Sequence, residues 1–85
     1  MIKYRTKQGK IIEAGQFLPP FQIPLGVFNV YSSLDVSTYS GQVWNVQGER
    51  VYVKSGERIV QEPNNPNRYH PVAHEVFMRK YELIK

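Results

Sequence analysis

The sequence contains no cysteine among its 85 residues, which excludes disulfide frameworks, thiolate zinc sites and thiol catalysis. It also lacks any run approaching the roughly 18 consecutive apolar residues that a membrane-spanning helix requires. Its basic N-terminus, MIKYRTKQGK, is followed by no apolar segment of the kind found in signal peptides. We therefore expect a soluble, unprocessed chain in a reducing cytosol.

Acidic residues are scarce and unevenly placed. The chain has 7 Asp and Glu against 11 Lys and Arg, for a net charge of +4. Between residues 14 and 48 the only charged side chain is Asp35, and four cations precede the first acidic residue, Glu13: Lys3, Arg5, Lys7 and Lys10. If the two basic ends pair in space, they form one positive surface that could attract nucleic acid, nucleotides or an acidic protein. The alternative is that the charge serves solubility alone.

The composition indicates one folded domain over residues 1–85. Hydrophobic residues make up 41% of the chain and aromatic residues 13%, which is too apolar for a disordered segment. A chain of this length has room for one modest core. No repeat or interdomain linker divides it.

The first half reads as two strands separated by a loop. The β-branched and aromatic residues of 10–17 and 27–32 favour strands. Between them, 18–26 holds three prolines and a glycine, which predict an extended surface loop. The Ser, Thr, Asp and Gly residues of 33–41 predict a polar connection.

The clearest pattern is a hairpin in which 42–47 and 50–54 flank Gly48-Glu49, each with alternating apolar and polar residues. Ser55-Gly56 predicts a second tight turn into a strand over 57–62. We therefore predict a three-stranded meander.

The C-terminal part predicts a loop, a short helix and a last strand. The prolines and asparagines of 63–68 indicate a loop, and Pro71 suits the first helical position after His70 as N-cap. Residues 78–84 favour a strand that pairs near the first one. The predicted fold class is mainly β: a small curved antiparallel sheet or partly open barrel with one short C-terminal helix.

Two blocks of the sequence resemble a family of small phage and prophage proteins. The first is KYRTKQGKIIEAGQF, residues 3–17, which resembles the family's Lys-Tyr-Arg opening and its strand ending in Glu-Ala-x-Gln-Phe. The second runs from Gly48 through GERVYVKSGERIV to YHPVAHEVFMRKYE. It resembles the family's Pro-Gly-Asp turn, which falls on 55–57, its aromatic-x-Pro step at Tyr69 and Pro71, and its tail at Glu75, Phe77, Tyr81 and Glu82.

The resemblance covers about two thirds of the 85-residue chain, and several positions depart from the family pattern. Ser55 and Glu57 replace Pro and Asp, Arg58 replaces an aromatic residue, 63–68 lengthens a loop, and 18–26 replaces a helix-like middle. The resemblance implies a phage origin, the cytoplasm of a bacterial host and a small β-rich fold. It implies no active site, because no activity is established for the family.

The stretch HPVAHE, residues 70–75, contains the only two histidines of the chain. Histidines four apart on one helical face can share a metal ion, but zinc requires further ligands, and this order is neither HExxH nor HxxEH. If His70 is the N-cap, its ring need not lie over that of His74. We therefore predict no metal site and no cofactor, and Glu75 complements the helix dipole.

No constellation in the sequence predicts catalysis. Carboxylates such as Asp35 and Glu57 would need a cleft that shifts their pKa values, for which a chain of this size has little room. No Gly-rich phosphate loop, nucleophile elbow or Ser/His/Asp order is present. We predict that the protein is not an enzyme.

The predicted strand 50–54 carries a candidate binding face. Val51 and Val53 point to one side and Arg50, Tyr52 and Lys54 to the other. Cations that contact phosphates and rings that stack on bases are how single-stranded nucleic acid is held. Arg58 and the N-terminal cations are candidates to extend this face. The alternative is a solvated strand face.

The positions of six aromatic residues predict whether their rings lie in the core or at the surface. Five of them predict the core: Phe17, Phe28, Trp44, Phe77 and Tyr81. Phe21 lies among prolines, where it either contacts a partner or plugs the open end of a barrel.

Three functions are compatible with these observations. The leading hypothesis is a phage-encoded accessory protein that binds a host protein without catalysis, in host takeover or against a defence system. The second is a binder of nucleic acid or an anionic nucleotide on the Arg50, Tyr52 and Lys54 face. The third is a minor structural protein of the virion. No membrane partner is expected.

Overall fold

The computed structural model describes residues 1–32 and 39–84 of the chain. Within this part the chain forms eight strands and one seven-residue helix, which is too short to cross a membrane. The elements are β1 (Ile2–Thr6), β2 (Ile11–Gln16), β3 (Phe28–Ser32), β4 (Tyr39–Trp44), β5 (Arg50–Lys54), β6 (Arg58–Glu62), β7 (Asn65–Val72), α1 (His74–Lys80) and β8 (Tyr81–Leu83).

Five strands form one antiparallel sheet in the order β7-β6-β2-β1-β8. The predicted pairing of the C-terminal strand near the N-terminal region is confirmed, because β8 pairs with β1 and Tyr81 lies opposite Thr6. The two basic ends of the chain therefore meet. The predicted strand over 78–84 is wrong for 78–80, which belong to α1. Strand β1 itself was not predicted, although Ile2, Tyr4 and Thr6 do alternate with cations.

The remaining three strands form a second antiparallel sheet in the order β3-β4-β5. The predicted hairpin is confirmed as β4 and β5, which pair from Ser40↔Lys54 to Trp44↔Arg50. The predicted polar connection over 33–41 is wrong for 39–41, which belong to β4, and the rest of it lies outside the described residues.

The predicted meander is wrong, because β5 and β6 belong to different sheets. The backbone of Phe17 lies between them: its N–H donates to the carbonyl of Glu57 at 2.8 Å, and its carbonyl accepts from the N–H of Gly56 at 2.7 Å. The chain that leaves β5 therefore turns onto β2, and β6 pairs with β2 and β7.

Two further predictions near the C-terminus are corrected. The predicted loop over 63–68 is a turn followed by β7, which begins at Asn65. Pro66 fits there because β7 is an edge strand, where a missing N–H breaks no ladder. The helix begins at His74 after Ala73, so Pro71 and His70 belong to β7, while Glu75 does lie in the first helical turn.

The core is divided between the two faces of the five-stranded sheet. On one face, α1 covers a cluster of Tyr4, Ile12, Ala14, Val60 and Phe77. On the other, the three-stranded sheet covers a cluster of Phe17, Val43, Val53, Ile59 and Tyr69. The fold is therefore mainly β and antiparallel with one short C-terminal helix, as predicted, and its strands are shared between two sheets.

Candidate functional site

The candidate site is the solvent-facing side of the three-stranded sheet, here called the outer face. On β5, Val53 is fully buried and Val51 is half-buried, whereas Arg50, Tyr52 and Lys54 are exposed. The predicted alternation of this strand is confirmed. It arises because successive side chains of a strand point to opposite sides of the sheet.

The strand register adds residues from β4 and β3 to the outer face. Residues directly opposite each other in an antiparallel pair share a face. Tyr52 lies opposite Gln42 and Arg50 opposite Trp44, and on the other side Gln42 lies opposite Phe28 and Ser40 opposite Tyr31. The outer face therefore consists of Phe28, Tyr31, Ser40, Gln42, Trp44, Arg50, Tyr52 and Lys54.

Four aromatic rings from three strands occupy this face. Phe28 and Trp44 are stacked, with ring centroids 5.7 Å apart and an interplanar angle of 21°. Tyr31 is 53% exposed, Tyr52 is 64% exposed and Trp44 is 40% exposed. Tyr31 and Tyr52 border the same shallow depression as Arg50. The face thus offers flat apolar surface next to a guanidinium group.

A polar contact holds the middle of the outer face. Gln42 is only 8% exposed, and its side-chain oxygen accepts a hydrogen bond from Asn29 Nδ2 at 3.0 Å. Asn29 has a positive φ of 52° and lies at the register irregularity of β3, a conformation that asparagine tolerates better than most residues. This contact keeps Asn29 and Gln42 in place beside Tyr31 and Tyr52.

The outer face carries positive charge alone. Its charged side chains are Arg50 and Lys54, and none of its residues has a carboxylate. An anionic ligand that approaches this face meets both cations. The nearby carboxylate of Glu57 accepts a hydrogen bond from the backbone N–H of Lys54.

Trp44 is the main residue that the sequence prediction misplaced. It was predicted in the core with Phe28, but it is exposed and Phe28 is half-buried. The signal was present in the sequence, because Val43 faces the interior and its neighbours in a strand must face outward.

Arg58 was predicted to extend the basic face, and the structure places it elsewhere. It lies on β6 beneath α1, where its Nη1 donates to the hydroxyl of Tyr4 at 3.1 Å and its Nε to His74 Nδ1 at 3.3 Å. Its guanidinium group also lies 5.1 Å from the centre of the Phe77 ring. Arg58 therefore helps to dock the helix, and it is not part of the outer face.

The two histidines have separate partners. His70 Nδ1 lies 2.6 Å from a carboxylate oxygen of Glu62 on the neighbouring strand. His74 Nδ1 lies 3.3 Å from both Gln16 Nε2 and Arg58 Nε. In residues 1–32 and 39–84, no three His, Asp or Glu side chains come close enough together to hold a metal ion.

Phe21 lies on a second exposed surface, the Phe21 loop, residues 18–25. Phe21 is 95% exposed, so the expectation that it could plug a barrel is wrong. Leu18 and Gln22 exchange two backbone hydrogen bonds of 2.9 Å, and Gln22 Nε2 donates to the carbonyl of Gln16 at 2.9 Å. The loop is thus held in shape with Pro24 buried, while its other large apolar side chains are exposed.

No family model, curated protein or solved structure matches the chain. The resemblance to phage proteins therefore stays a prediction.

Proposed function

We propose that the protein binds single-stranded nucleic acid on its outer face and carries out no reaction on it. The observation that carries this proposal is that four aromatic side chains from three strands share one face with Arg50 and Lys54. This function was the second hypothesis from sequence. It becomes the first because the strand register adds Phe28, Tyr31 and Trp44 to Tyr52.

The chemistry of single strands fits this surface. An unpaired base can stack on an exposed ring, and each such contact is worth about 1 to 3 kcal/mol by alanine substitution. Arg50 and Lys54 lie on either side of Tyr52 along β5, with about 13 Å between their own backbone positions. Both can therefore contact phosphates of a strand whose base lies on Tyr52. A duplex hides its bases from such a flat face.

The direct test is binding of fluorescently labelled oligothymidylate and oligouridylate, followed by anisotropy at low salt. Tyr52→Ala removes an exposed ring from the outer face, and Phe21→Ala is the matched control because it removes a more exposed ring from the Phe21 loop. We expect Tyr52→Ala to weaken binding at least about fivefold, from the lower bound of about 1 kcal/mol per stacked base. Phe21→Ala should leave it unchanged.

Two results would contradict the proposal. One is equal loss of affinity in Tyr52→Ala and Phe21→Ala. The other is equal affinity for a single strand and for a duplex of the same length. Because Tyr52 is exposed, its replacement should not unfold the protein, and circular dichroism of each variant provides the check.

The Phe21 loop supports a second candidate function, which is binding to another protein. Four apolar side chains are exposed within eight residues: Leu18 at 41%, Phe21 at 95%, Ile23 at 46% and Leu25 at 68%. Clustered exposed apolar groups, including an aromatic anchor, are typical of protein interfaces. In this case the chain would be the phage accessory protein of the leading hypothesis from sequence, and its partner a protein of the bacterial host.

Affinity capture from a host lysate separates the two candidates. A host protein retained by the wild type and by Tyr52→Ala, and lost with Phe21→Ser, would support the second candidate. Retention that is equal in all three proteins would exclude the Phe21 loop as the contact.

A further inference from the structure

A second charged surface lies at the end of the five-stranded sheet where the two ends of the chain meet. The β1–β2 turn and the end of α1 border a depression of about 340 Å³, here called the basic depression. It forms because α1 continues directly into β8, and Tyr81 of β8 pairs with Thr6 of β1. Its lining residues are Thr6, Lys7, Gln8, Arg79, Lys80 and Tyr81.

Every lining side chain of the basic depression carries a hydrogen-bond donor. Three are cations, two are hydroxyls and one is a carboxamide, and none is a carboxylate. Within residues 1–32 and 39–84, the only salt bridge is that of His70 with Glu62, so Lys7, Arg79 and Lys80 have no acidic partner there. Glu82 follows Tyr81 on β8 and lies opposite Arg5, on the other side of the strand.

The turn that carries Lys7 is fixed by its own hydrogen bonds. The N–H of Thr6 donates to the carbonyl of Lys10 at 2.8 Å, and the N–H of Gly9 donates to the carbonyl of Thr6 at 2.9 Å. The hydroxyl oxygen of Thr6 accepts from the N–H of Lys10 at 3.1 Å, so its own O–H remains available to donate. The backbone beneath the depression is therefore held in one shape.

The three cations of the basic depression come from two different elements. Arg79 and Lys80 lie in the last turn of α1, where cations complement the negative end of a helix. Lys7 lies on the β1–β2 turn and adds a third positive charge beside them. Like charges that lie close together repel, and an anion between them would relieve this repulsion.

We propose that the basic depression binds a phosphate group with two or more negative charges. Such a group is present in pyrophosphate and nucleoside phosphates, and also at a 5′-phosphorylated end of a nucleic-acid strand. A phosphodiester inside a strand has a single charge and matches a depression lined by three cations less well. The basic depression shares no residue with the outer face, and this proposal does not depend on the proposed function.

The test is calorimetric titration of the full chain with inorganic pyrophosphate at low salt. Lys7→Ala is the diagnostic variant, because Lys7 has no role in the helix. Lys3→Ala, opposite Glu13 on the same sheet, and Arg68→Ala on the far edge strand β7 are matched controls for net charge. We expect wild-type binding to weaken about fivefold in Lys7→Ala, the upper range for an exposed ion pair, and to be unchanged in both controls.

Absence of pyrophosphate binding by the wild type would overturn the proposal, and so would equal weakening in Lys7→Ala, Lys3→Ala and Arg68→Ala. A competition arm identifies the source of the phosphate. If a 5′-phosphorylated oligonucleotide displaces pyrophosphate and its 5′-hydroxyl counterpart does not, the strand end is the ligand. If only nucleoside phosphates displace it, the ligand is a free nucleotide. If the 5′-hydroxyl strand displaces pyrophosphate as well as the 5′-phosphorylated strand does, the basic depression does not select a phosphate with two or more charges, and the proposal is wrong.

Discussion

At the scale of single residues, Gly26 is the glycine with the least room for a side chain. Its φ is +94°, and a Cβ built on it would lie 2.3 Å from Cε1 of Tyr69, a ring in the core between the two sheets. Gly26→Ala would combine the cost of a left-handed backbone, about 1 to 2 kcal/mol, with that of overpacking, about 1 to 3 kcal/mol. We expect it to lower the free energy of unfolding by at least about 2 kcal/mol, as measured by urea denaturation.

Gly48 provides the control for this prediction. Its φ is +78°, and no atom lies within 4 Å of a Cβ built there. Gly48→Ala should therefore cost only the backbone part, about 1 to 2 kcal/mol. Equal free energies of unfolding in the two variants would mean that Tyr69 does not pack closely against Gly26.

His74 gives a second prediction at this scale. Arg58 Nε always carries a hydrogen and can only donate, so His74 Nδ1, at 3.3 Å, must accept. The neutral ring therefore has its proton on Nε2. We expect ¹⁵N NMR of the imidazole to show the Nε2–H tautomer in the wild type. A ring protonated on Nδ1 would contradict the contact between Arg58 and His74.

At the scale of elements, α1 buries one side chain fully, and most of its packing energy comes from that residue. A helix of seven residues is not stable alone, and its only fully buried residue is Phe77. The Phe77 ring lies edge-on to Tyr4 at 4.8 Å and stacks on Tyr81 at 4.6 Å. We expect Phe77→Ala to lower the free energy of unfolding by about 3 to 5 kcal/mol, which approaches the total stability of a small domain.

Met78→Ala is the matched substitution on the same helix. Met78 is 57% exposed, so its loss should change the free energy of unfolding by about 0.5 kcal/mol or less. Comparable losses in the two variants, measured by urea denaturation, would mean that α1 is not docked through Phe77.

The elements that could be predicted from sequence are those specified by neighbours in the chain. The hairpin of β4 and β5 follows from alternation and a turn at Gly48, and the exposure of Arg50, Tyr52 and Lys54 follows from the same alternation. The separation of β5 from β6 depends on Phe17, which is about 40 residues away in sequence from its partners Gly56 and Glu57. No local pattern contains that information. The outer face was therefore predicted for one strand only, because its other rings arrive through pairing with β4 and β3.

At the scale of the whole molecule, two separate surfaces carry positive charge: the basic depression and the outer face with its aromatic rings. The net charge of +4 is concentrated partly at the paired ends of the chain and partly on the outer face. For a single strand, log K should fall with log salt by about 0.7 for each phosphate contacted. We therefore expect a slope near −1.4 on the outer face, from Arg50 and Lys54, and a slope about 0.7 shallower in Lys54→Ala, as measured by anisotropy between low and high salt. If the slope of log K against log salt is the same in Lys54→Ala as in the wild type, Lys54 does not contact a phosphate.

The most direct measurement of the central claim uses Trp44, the only tryptophan of the chain, which lies on the outer face. Oligothymidylate is titrated into the wild-type protein at low salt while the intrinsic tryptophan fluorescence is followed, and a duplex of equal length is titrated in parallel. The account predicts saturable quenching by the single strand, little change with the duplex, and a weaker single-strand response in Tyr52→Ala. A tryptophan emission that the single strand leaves unchanged, at concentrations where anisotropy reports binding, would contradict it.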